Sequence, residues 1–195
     1  RGDRLDRLFP YLPYDHVSGQ WQGIHFHADS YDNVISHTDL HSAYNGIVCD
    51  AANTSQNKLT LANSTVHNCQ GYGLKAVNCK VEAYNTQFSN TLMDCASFLG
   101  GHITLTHCTF AQFYPFDSNR GAALSLEDVF CIGDQCIVEG DKDYPLQAFN
   151  MVNSLVTGYS EDVLMVYNKD GVAANYQFHH CLLRTPKPKD TALLA

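Results

Sequence analysis

Apolar and polar residues alternate in a short pattern that recurs along most of the chain. In the copy at 59–68, Leu59 and Leu61 are two residues apart, a polar corner follows, and Val66 lies five residues after Leu61. Alternation with a period of two is typical of a strand with one buried face, so each copy predicts strand, bend and strand. The five-residue step recurs as Ile35/Leu40, Leu61/Val66, Ala83/Phe88, Leu105/Phe110, Asn150/Leu155 and Phe178/Leu183.

A second apolar strand precedes most copies of this pattern. It occurs at 23–27, 46–50, 73–77 and 123–127, with weaker versions at 97–100 and 164–167. Successive copies of the first pattern are offset by 26, 22, 22, 45 and 28 residues. Offsets that mostly lie in the twenties, combined with strand patterning, are typical of a solenoid that adds one coil per repeat. The sequence therefore predicts an all-β solenoid with about six visible coils of roughly 22–28 residues.

Stacking of the coils, about 4.8 Å apart, would place equivalent residues in columns. The two predicted core columns are Ile35, Leu61, Ala83, Leu105, Asn150 and Phe178, and Leu40, Val66, Phe88, Phe110, Leu155 and Leu183. The predicted corner column is His37, Asn63, Asn85, His107, Val152 and His180. Asn and His tolerate left-handed backbone better than most residues, so corner geometry explains these histidines without any chemistry.

The repeats divide the chain into three segments. Residues 1–21 carry no repeat and are rich in aromatic residues and proline. Residues 22–186 form the solenoid, and the acidic, glycine-bearing stretch 130–144 is predicted to be a loop insertion in the fifth coil. Residues 187–195 are either the start of a further coil or a truncated tail. The chain starts at Arg1 rather than Met, so we expect any export signal or anchor to lie outside it.

Charge and cysteine content narrow the class of protein. The net charge of −8 and the absence of a basic run argue against a nucleic-acid partner. Eight cysteines are too few for a disulfide scaffold. Cys49, Cys108 and Cys181 fall on inward positions and are predicted to be packed core thiols. Cys131 and Cys136 share the predicted loop, and the sequence does not decide whether they form a disulfide.

The repeats over 22–186 resemble the right-handed parallel β-helix proteins of the pectate-lyase-like superfamily. The segments 1–6, 13–15, 19–24 and 117–124 are similar to parts of uncharacterised secreted or surface lipoproteins of Bacteroides-type gut bacteria. The resemblance implies a right-handed parallel β-helix with three short strands per coil, secreted or anchored at the outer membrane. It carries over no active site.

Catalysis would need carboxylates that the repeat does not cluster. A lyase of this superfamily would use carboxylates to hold Ca²⁺ and an Arg or Lys as base, and a hydrolase would use a carboxylate pair. Asp50 and Glu127 share an outward column, but three coil spacings separate them by about 14 Å. Glycoside hydrolysis uses carboxylates roughly 5–9.5 Å apart. We therefore assign no catalytic residue and expect no cofactor.

A local metal site is a second possibility. Ile24 and Phe26 point inward, so His25 and His27 project outward from one face, and Asp50 should lie one coil above His27. Two imidazoles and a carboxylate can hold a divalent transition metal. The alternative interpretation is an ordinary solvated face, on which His and Asp are common.

Exposed aromatic residues suggest a binding surface. Phe113, Tyr114 and Phe116 precede a turn that contains Asp117 and Arg120, and aromatic rings on such a turn can stack on sugars. We therefore expect a non-catalytic secreted or surface scaffold that binds glycan or another extracellular macromolecule, reaching a membrane only through an anchor outside this sequence. The alternatives are a polysaccharide lyase or glycoside hydrolase, and a structural or adhesin-like repeat protein.

Overall fold

The structure is a computed structural model that describes residues 17–128, 143–169 and 171–187, together with the backbone of two short strands nearer the N-terminus. Most of the predicted loop 130–144, including Cys131 and Cys136, lies outside the described residues. The two N-terminal strands, β1 (Arg7–Phe9) and β2 (Leu12–Pro13), pair antiparallel. The described part of the chain holds no helix with the length and hydrophobicity needed to span a bilayer.

The remaining described strands form three six-stranded parallel sheets. Sheet 1 contains β3 (Ile24–Phe26), β6 (Ile47–Cys49), β9 (Leu74–Val77), β12 (Ala96–Leu99), β15 (Leu124–Glu127) and β18 (Leu164–Tyr167). Sheet 2 contains β4 (Asn33–Ser36), β7 (Asn57–Ala62), β10 (Lys80–Tyr84), β13 (Gly101–Thr106), β16 (Leu146–Val152) and β19 (Ala174–His179). Sheet 3 contains β5 (Asp39–His41), β8 (Thr65–His67), β11 (Gln87–Ser89), β14 (Thr109–Gln112), β17 (Leu155–Gly158) and β20 (Leu182–Leu183).

Each coil contributes one strand to sheet 1, then one to sheet 2 and one to sheet 3, before the next coil begins. This arrangement is a parallel β-helix of about six coils and confirms the predicted all-β solenoid. The right-handed sense of the coiling stays a prediction.

Inward side chains of the three sheets form a continuous apolar core. On sheet 2, Ile35, Leu61, Ala83 and Leu105 are in register, as the alternation predicts. On sheet 3, the rings of Phe88 and Phe110 stack with centroids 5.2 Å apart and an interplanar angle of 3°. Stacked rings on successive coils exclude water from the core without requiring any polar partner.

The fifth coil is shifted by one residue from the predicted alignment. Met151, not Asn150, pairs with Leu105 in the core column of sheet 2. Val156, not Leu155, pairs with Phe110 on sheet 3. A one-residue slip turns every side chain to the opposite face, and the register that buries Met151 keeps the amide of Asn150 out of this core column.

The corner between sheets 2 and 3 has the same geometry in every described coil. His37, Asn63, Asn85, His107, Asn153 and His180 all have φ between 48° and 55°. The corner column is therefore confirmed in five coils, and in the fifth coil Asn153 replaces the predicted Val152. Asn85 Nδ2 donates to Asn63 Oδ1 at 2.8 Å, and Asn63 Nδ2 lies 3.4 Å from His37 Nε2, so the corner side chains bond between coils.

Small residues just after the corner hold the turn from inside. The Ser64 hydroxyl donates to Ala62 O at 2.7 Å and accepts from the backbone N–H of Thr38 at 3.1 Å. The Ser154 hydroxyl accepts from the backbone N–H of Cys108 in the same way, at 2.9 Å. These bonds satisfy backbone groups that the bend removes from the sheet ladders.

The thiols behave largely as predicted. Cys49 and Cys108 are buried free thiols, whereas Cys181, on the sixth coil, is only partly buried.

A substitution at a corner separates backbone strain from the side-chain ladder. Asn85→Val should destabilise the fold more than Asn85→Gly, by about 1–2 kcal/mol, because only valine carries a Cβ penalty in left-handed backbone. Both variants lose the bond to Asn63. Urea denaturation measures the difference, with Thr104→Val in the extended strand β13 as the control. Equal destabilisation by valine and glycine would contradict the strain argument.

Candidate functional site

The connection between sheets 3 and 1 lengthens in the fourth coil. In the first three coils, residues 42–46, 68–73 and 90–95 make this connection, whereas 113–123 make it in the fourth. The extra residues form a longer turn, in which residues 115–119 are exposed. This turn carries all five residues predicted from the sequence to bind a ligand.

Two exposed aromatic rings meet beside this turn. Phe113 follows β14, and Tyr159 follows β17 on the next coil. Their ring centroids lie 4.9 Å apart at an interplanar angle of 89°, the edge-to-face arrangement that aromatic pairs favour. Tyr159 is 56% exposed and Phe113 is 36% exposed, so both present apolar surface to solvent.

Hydrogen bonds hold the pair in place. The backbone N–H of Tyr159 donates to Gln112 O at 3.1 Å, and Arg184 Nε donates to Ser160 O at 2.6 Å. Arg120 Nε donates to Tyr114 O at 2.8 Å while its guanidinium lies 5.0 Å from the ring centre of Tyr159. The backbone of Tyr159 and Ser160 is therefore tied to the neighbouring coils, and Arg120 links its own turn to the ring of Tyr159.

Of the predicted aromatic cluster, Phe116 is exposed to solvent and Tyr114 is buried. Phe116 is 56% exposed, and its ring contacts that of Tyr114 at 5.5 Å. Tyr114 itself is buried, and its hydroxyl shares a 3.1 Å hydrogen bond with the Ser18 hydroxyl. Tyr114 thus supports the turn instead of offering a ring to a ligand. Asp117 is exposed and accepts from the backbone N–H of Asn119 at 2.8 Å.

We call Phe113, Phe116, Tyr159 and Arg120 the aromatic patch. Tyr159 is the member that the sequence analysis missed. Gln112 pairs with Gly158 in the parallel ladder, so the next residues, Phe113 and Tyr159, fall at equivalent positions. The one-residue misalignment of the fifth copy hid this equivalence.

His25, His27 and Asp50 converge on sheet 1, far from the patch along the chain. His25 Nε2 lies 2.8 Å from Asp50 Oδ1, and His27 Nδ1 lies 3.3 Å from Asp50 Oδ2. The hydrogen bond from His25 is the main cause that holds the pKa of Asp50 below its ordinary value. The predicted cluster is therefore brought together as expected.

Asp50 and Glu127 are not brought together. The ladder of sheet 1 runs from β6 through β9 and β12 to β15, so two strands separate the coils that carry these carboxylates. The observed strand order therefore keeps these two carboxylates too far apart for a hydrolytic pair.

A different acid, Asp94, has an unusual environment. Burial is the largest cause that raises the pKa of Asp94 to about 6, and the charge of Glu127 adds to the effect. Asp94 Oδ1 accepts from the backbone N–H of Ala122 at 2.7 Å, so the side chain ties the turn of the third coil to that of the fourth. Burial likewise raises the pKa of Tyr72 to about 12, with contributions from both acids. Asp94 lies in the connection between β11 and β12, outside the repeat columns, so the repeat pattern could not predict its burial.

A shallow polar groove follows the corner of the second to fourth coils. It is lined by Asn63, Ser64, Thr65, Asn85, Thr86, Gln87, His107 and Thr109. The groove contains none of the residues predicted to bind a ligand, and the amides of Asn63 and Asn85 already bond to each other across the coils.

Fold and local geometry together define a parallel β-solenoid with an exposed aromatic patch and a separate cluster of two imidazoles and a carboxylate. Comparison of the chain with family models, with curated proteins and with solved structures finds no significant match.

Replacing Asp94 by Asn should make stability less dependent on pH. Because the folded-state pKa of about 6 exceeds the ordinary value of 3.8, the folded state binds the proton more tightly than the unfolded state. Protonation of Asp94 therefore stabilises the folded wild type. This stabilisation is fully present below about pH 3.8 and is lost as the pH rises through about 6. Asp94→Asn keeps an acceptor for Ala122 N and should stabilise the fold by about 1–2 kcal/mol at pH 8, with little change at pH 4.

Urea denaturation at the two pH values measures this difference. Asp117→Asn is the matched control, because Asp117 also accepts a backbone N–H but is exposed. A gain for Asp94→Asn that is the same at pH 4 and pH 8 would show that Asp94 is not the titrating group.

Proposed function

We propose that this chain is a non-catalytic β-helix scaffold that binds a neutral polysaccharide through the aromatic patch. The observation that carries the proposal is the exposed edge-to-face pair of Phe113 and Tyr159 on neighbouring coils. Large apolar side chains held at the surface by a rigid frame are typical of a binding surface, because exposure of such rings is otherwise unfavourable.

The chemistry around the rings fits a sugar. Aromatic rings offer flat apolar surface for the C–H face of a pyranose, and sugar hydroxyls need donors and acceptors at the edge of that contact. Arg120 supplies donors beside Tyr159, and the exposed Asp117 supplies acceptors on the same turn. A purely apolar partner would leave these charged groups unsatisfied at the contact.

Charge favours a neutral glycan over an acidic one. The chain carries a net charge of −8, and Glu161 and Asp162, two and three residues after Tyr159, are exposed. A polyanionic polysaccharide would be repelled by these groups, since like charges raise the free energy of association.

Rigidity supports binding at modest cost. The bond from the backbone N–H of Tyr159 to Gln112 O and the bond from the Arg120 side chain to Tyr114 O fix the turns that carry the rings. A surface that is ordered before binding loses little conformational entropy when the ligand arrives.

The resemblance to the pectate-lyase-like superfamily and to secreted or surface lipoproteins of Bacteroides-type gut bacteria supports an extracellular setting for this binding. Polysaccharide is the class of macromolecule that such a location would bring to the patch.

Binding to a panel of immobilised neutral polysaccharides, followed by calorimetry with soluble oligosaccharides of the best binder, tests the proposal. Tyr159→Ala and Phe113→Ala should each weaken binding by about tenfold or more, because each removes a stacking surface at the centre of the contact. Tyr84→Ala is the matched control, since Tyr84 is 48% exposed on β10, outside the patch.

The same samples are assayed for new reducing ends and for unsaturated products. Saturable binding without turnover is the expected result. Turnover would replace the proposal with the alternative of a polysaccharide-degrading enzyme. Absence of binding to every neutral polysaccharide, or equal loss in Tyr84→Ala, would overturn the role of the patch.

A further inference from the structure

The alternation of sheet 1 directs three ligating side chains to one spot. Ile24 and Phe26 pack against the core, so His25 between them and His27 after them face outward. Phe26 pairs with Cys49, and Asp50 N donates to Phe26 O at 3.0 Å, which places Asp50 across from His27 on the next coil. The three side chains thus come from two adjacent coils and one face.

Their donor atoms lie close to the spacing of metal ligands. One ligand atom from each of His25, His27 and Asp50 lies within 4.8 Å of the other two. His25 Nε2 is 2.8 Å from Asp50 Oδ1, and His27 Nδ1 is 3.3 Å from Asp50 Oδ2. In a tetrahedral site, ligand bonds of roughly 2.0–2.2 Å place neighbouring donor atoms about 3.3–3.6 Å apart. Small rotations of side chains would therefore suffice to surround an ion.

A buried lysine fixes the backbone that carries His27. Lys58 is 0% exposed, and its ammonium donates to His27 O at 2.6 Å and to Ser30 O at 3.1 Å. The backbone N–H of Ser30 also donates to His27 O, at 2.9 Å. These bonds hold the segment after β3 against the second coil, so His27 does not depend on a free loop for its position.

We propose that His25, His27 and Asp50 form a surface site for a divalent transition-metal ion such as Zn²⁺. Imidazole nitrogen suits Zn²⁺, Cu²⁺ and Ni²⁺, whereas Ca²⁺ and Mg²⁺ require sets of oxygen ligands. The side chains are 47%, 71% and 39% exposed in that order, so solvent reaches the three donors. The remaining coordination positions face solvent and would hold water or a donor from a partner. This inference is independent of the proposed polysaccharide binding.

Calorimetric titration of the untagged, chelator-treated full chain with Zn²⁺ tests the site. We expect saturable binding with a stoichiometry near one, and no comparable binding of Mg²⁺ or Ca²⁺. His27→Ala and Asp50→Asn should each weaken Zn²⁺ binding by about tenfold or more, since each removes one of three protein ligands. Asp50→Asn keeps the shape of the side chain, and thermal melting of each variant identifies any loss of folding.

The matched control is His67→Ala. His67 also contacts a carboxylate, Asp39, at 2.9 Å, and lies on sheet 3 instead of sheet 1. It should leave Zn²⁺ binding unchanged. Imidazole nitrogen signals in NMR spectra provide a direct readout: Zn²⁺ should shift those of His25 and His27 first. Absence of saturable Zn²⁺ binding, or unchanged affinity in both His27→Ala and Asp50→Asn, would show that the cluster is only a hydrogen-bonded surface group and overturn the proposal.

Discussion

The backbone hydrogen bonds between successive coils are the interaction on which everything else in this protein depends. Each strand of the second to fifth coils pairs with a strand before it and one after it, always parallel and in a nearly constant register. This pairing converts a periodicity in sequence into columns in space. Core packing such as the stack of Phe88 on Phe110, the amide bond between Asn85 and Asn63, and the meeting of Phe113 with Tyr159 all follow from it. Residues that could act together on such a frame therefore lie in the same column or in neighbouring connections.

Much of the fold was predictable because parallel pairing repeats one rule. Alternation predicted which side of most strands is buried. Asn or His predicted the corner, where the structure has positive φ. The fifth copy was misaligned because the connection 128–145 between β15 and β16 is long, so the coil period does not fix which residues of β16 face inward. The register irregularity between β13 and β16 lies earlier, at Gly101 and His102. Met151 and Asn153 fit the core and corner better than Asn150 and Val152, and only the pairing partners settle the choice.

The candidate sites were predictable to different degrees for the same reason. His25, His27 and Asp50 lie on or beside regular strands, so alternation and coil spacing sufficed to bring them together. Tyr159 follows a misaligned strand and was therefore missed. Asp94 lies in a connection between sheets, where no column fixes position and burial depends on contacts that sequence periodicity does not describe.

The corner between sheets 2 and 3 has a consequence for how such a chain can evolve. It spans two residues in every described coil, whereas the connections between sheets 3 and 1 vary in length. Insertion or deletion of a single residue near the corner would turn a whole strand inside out, but the duplication of an entire coil would preserve every column. Length variation is thereby confined to the other connections, so new binding loops can arise there without disturbing the frame.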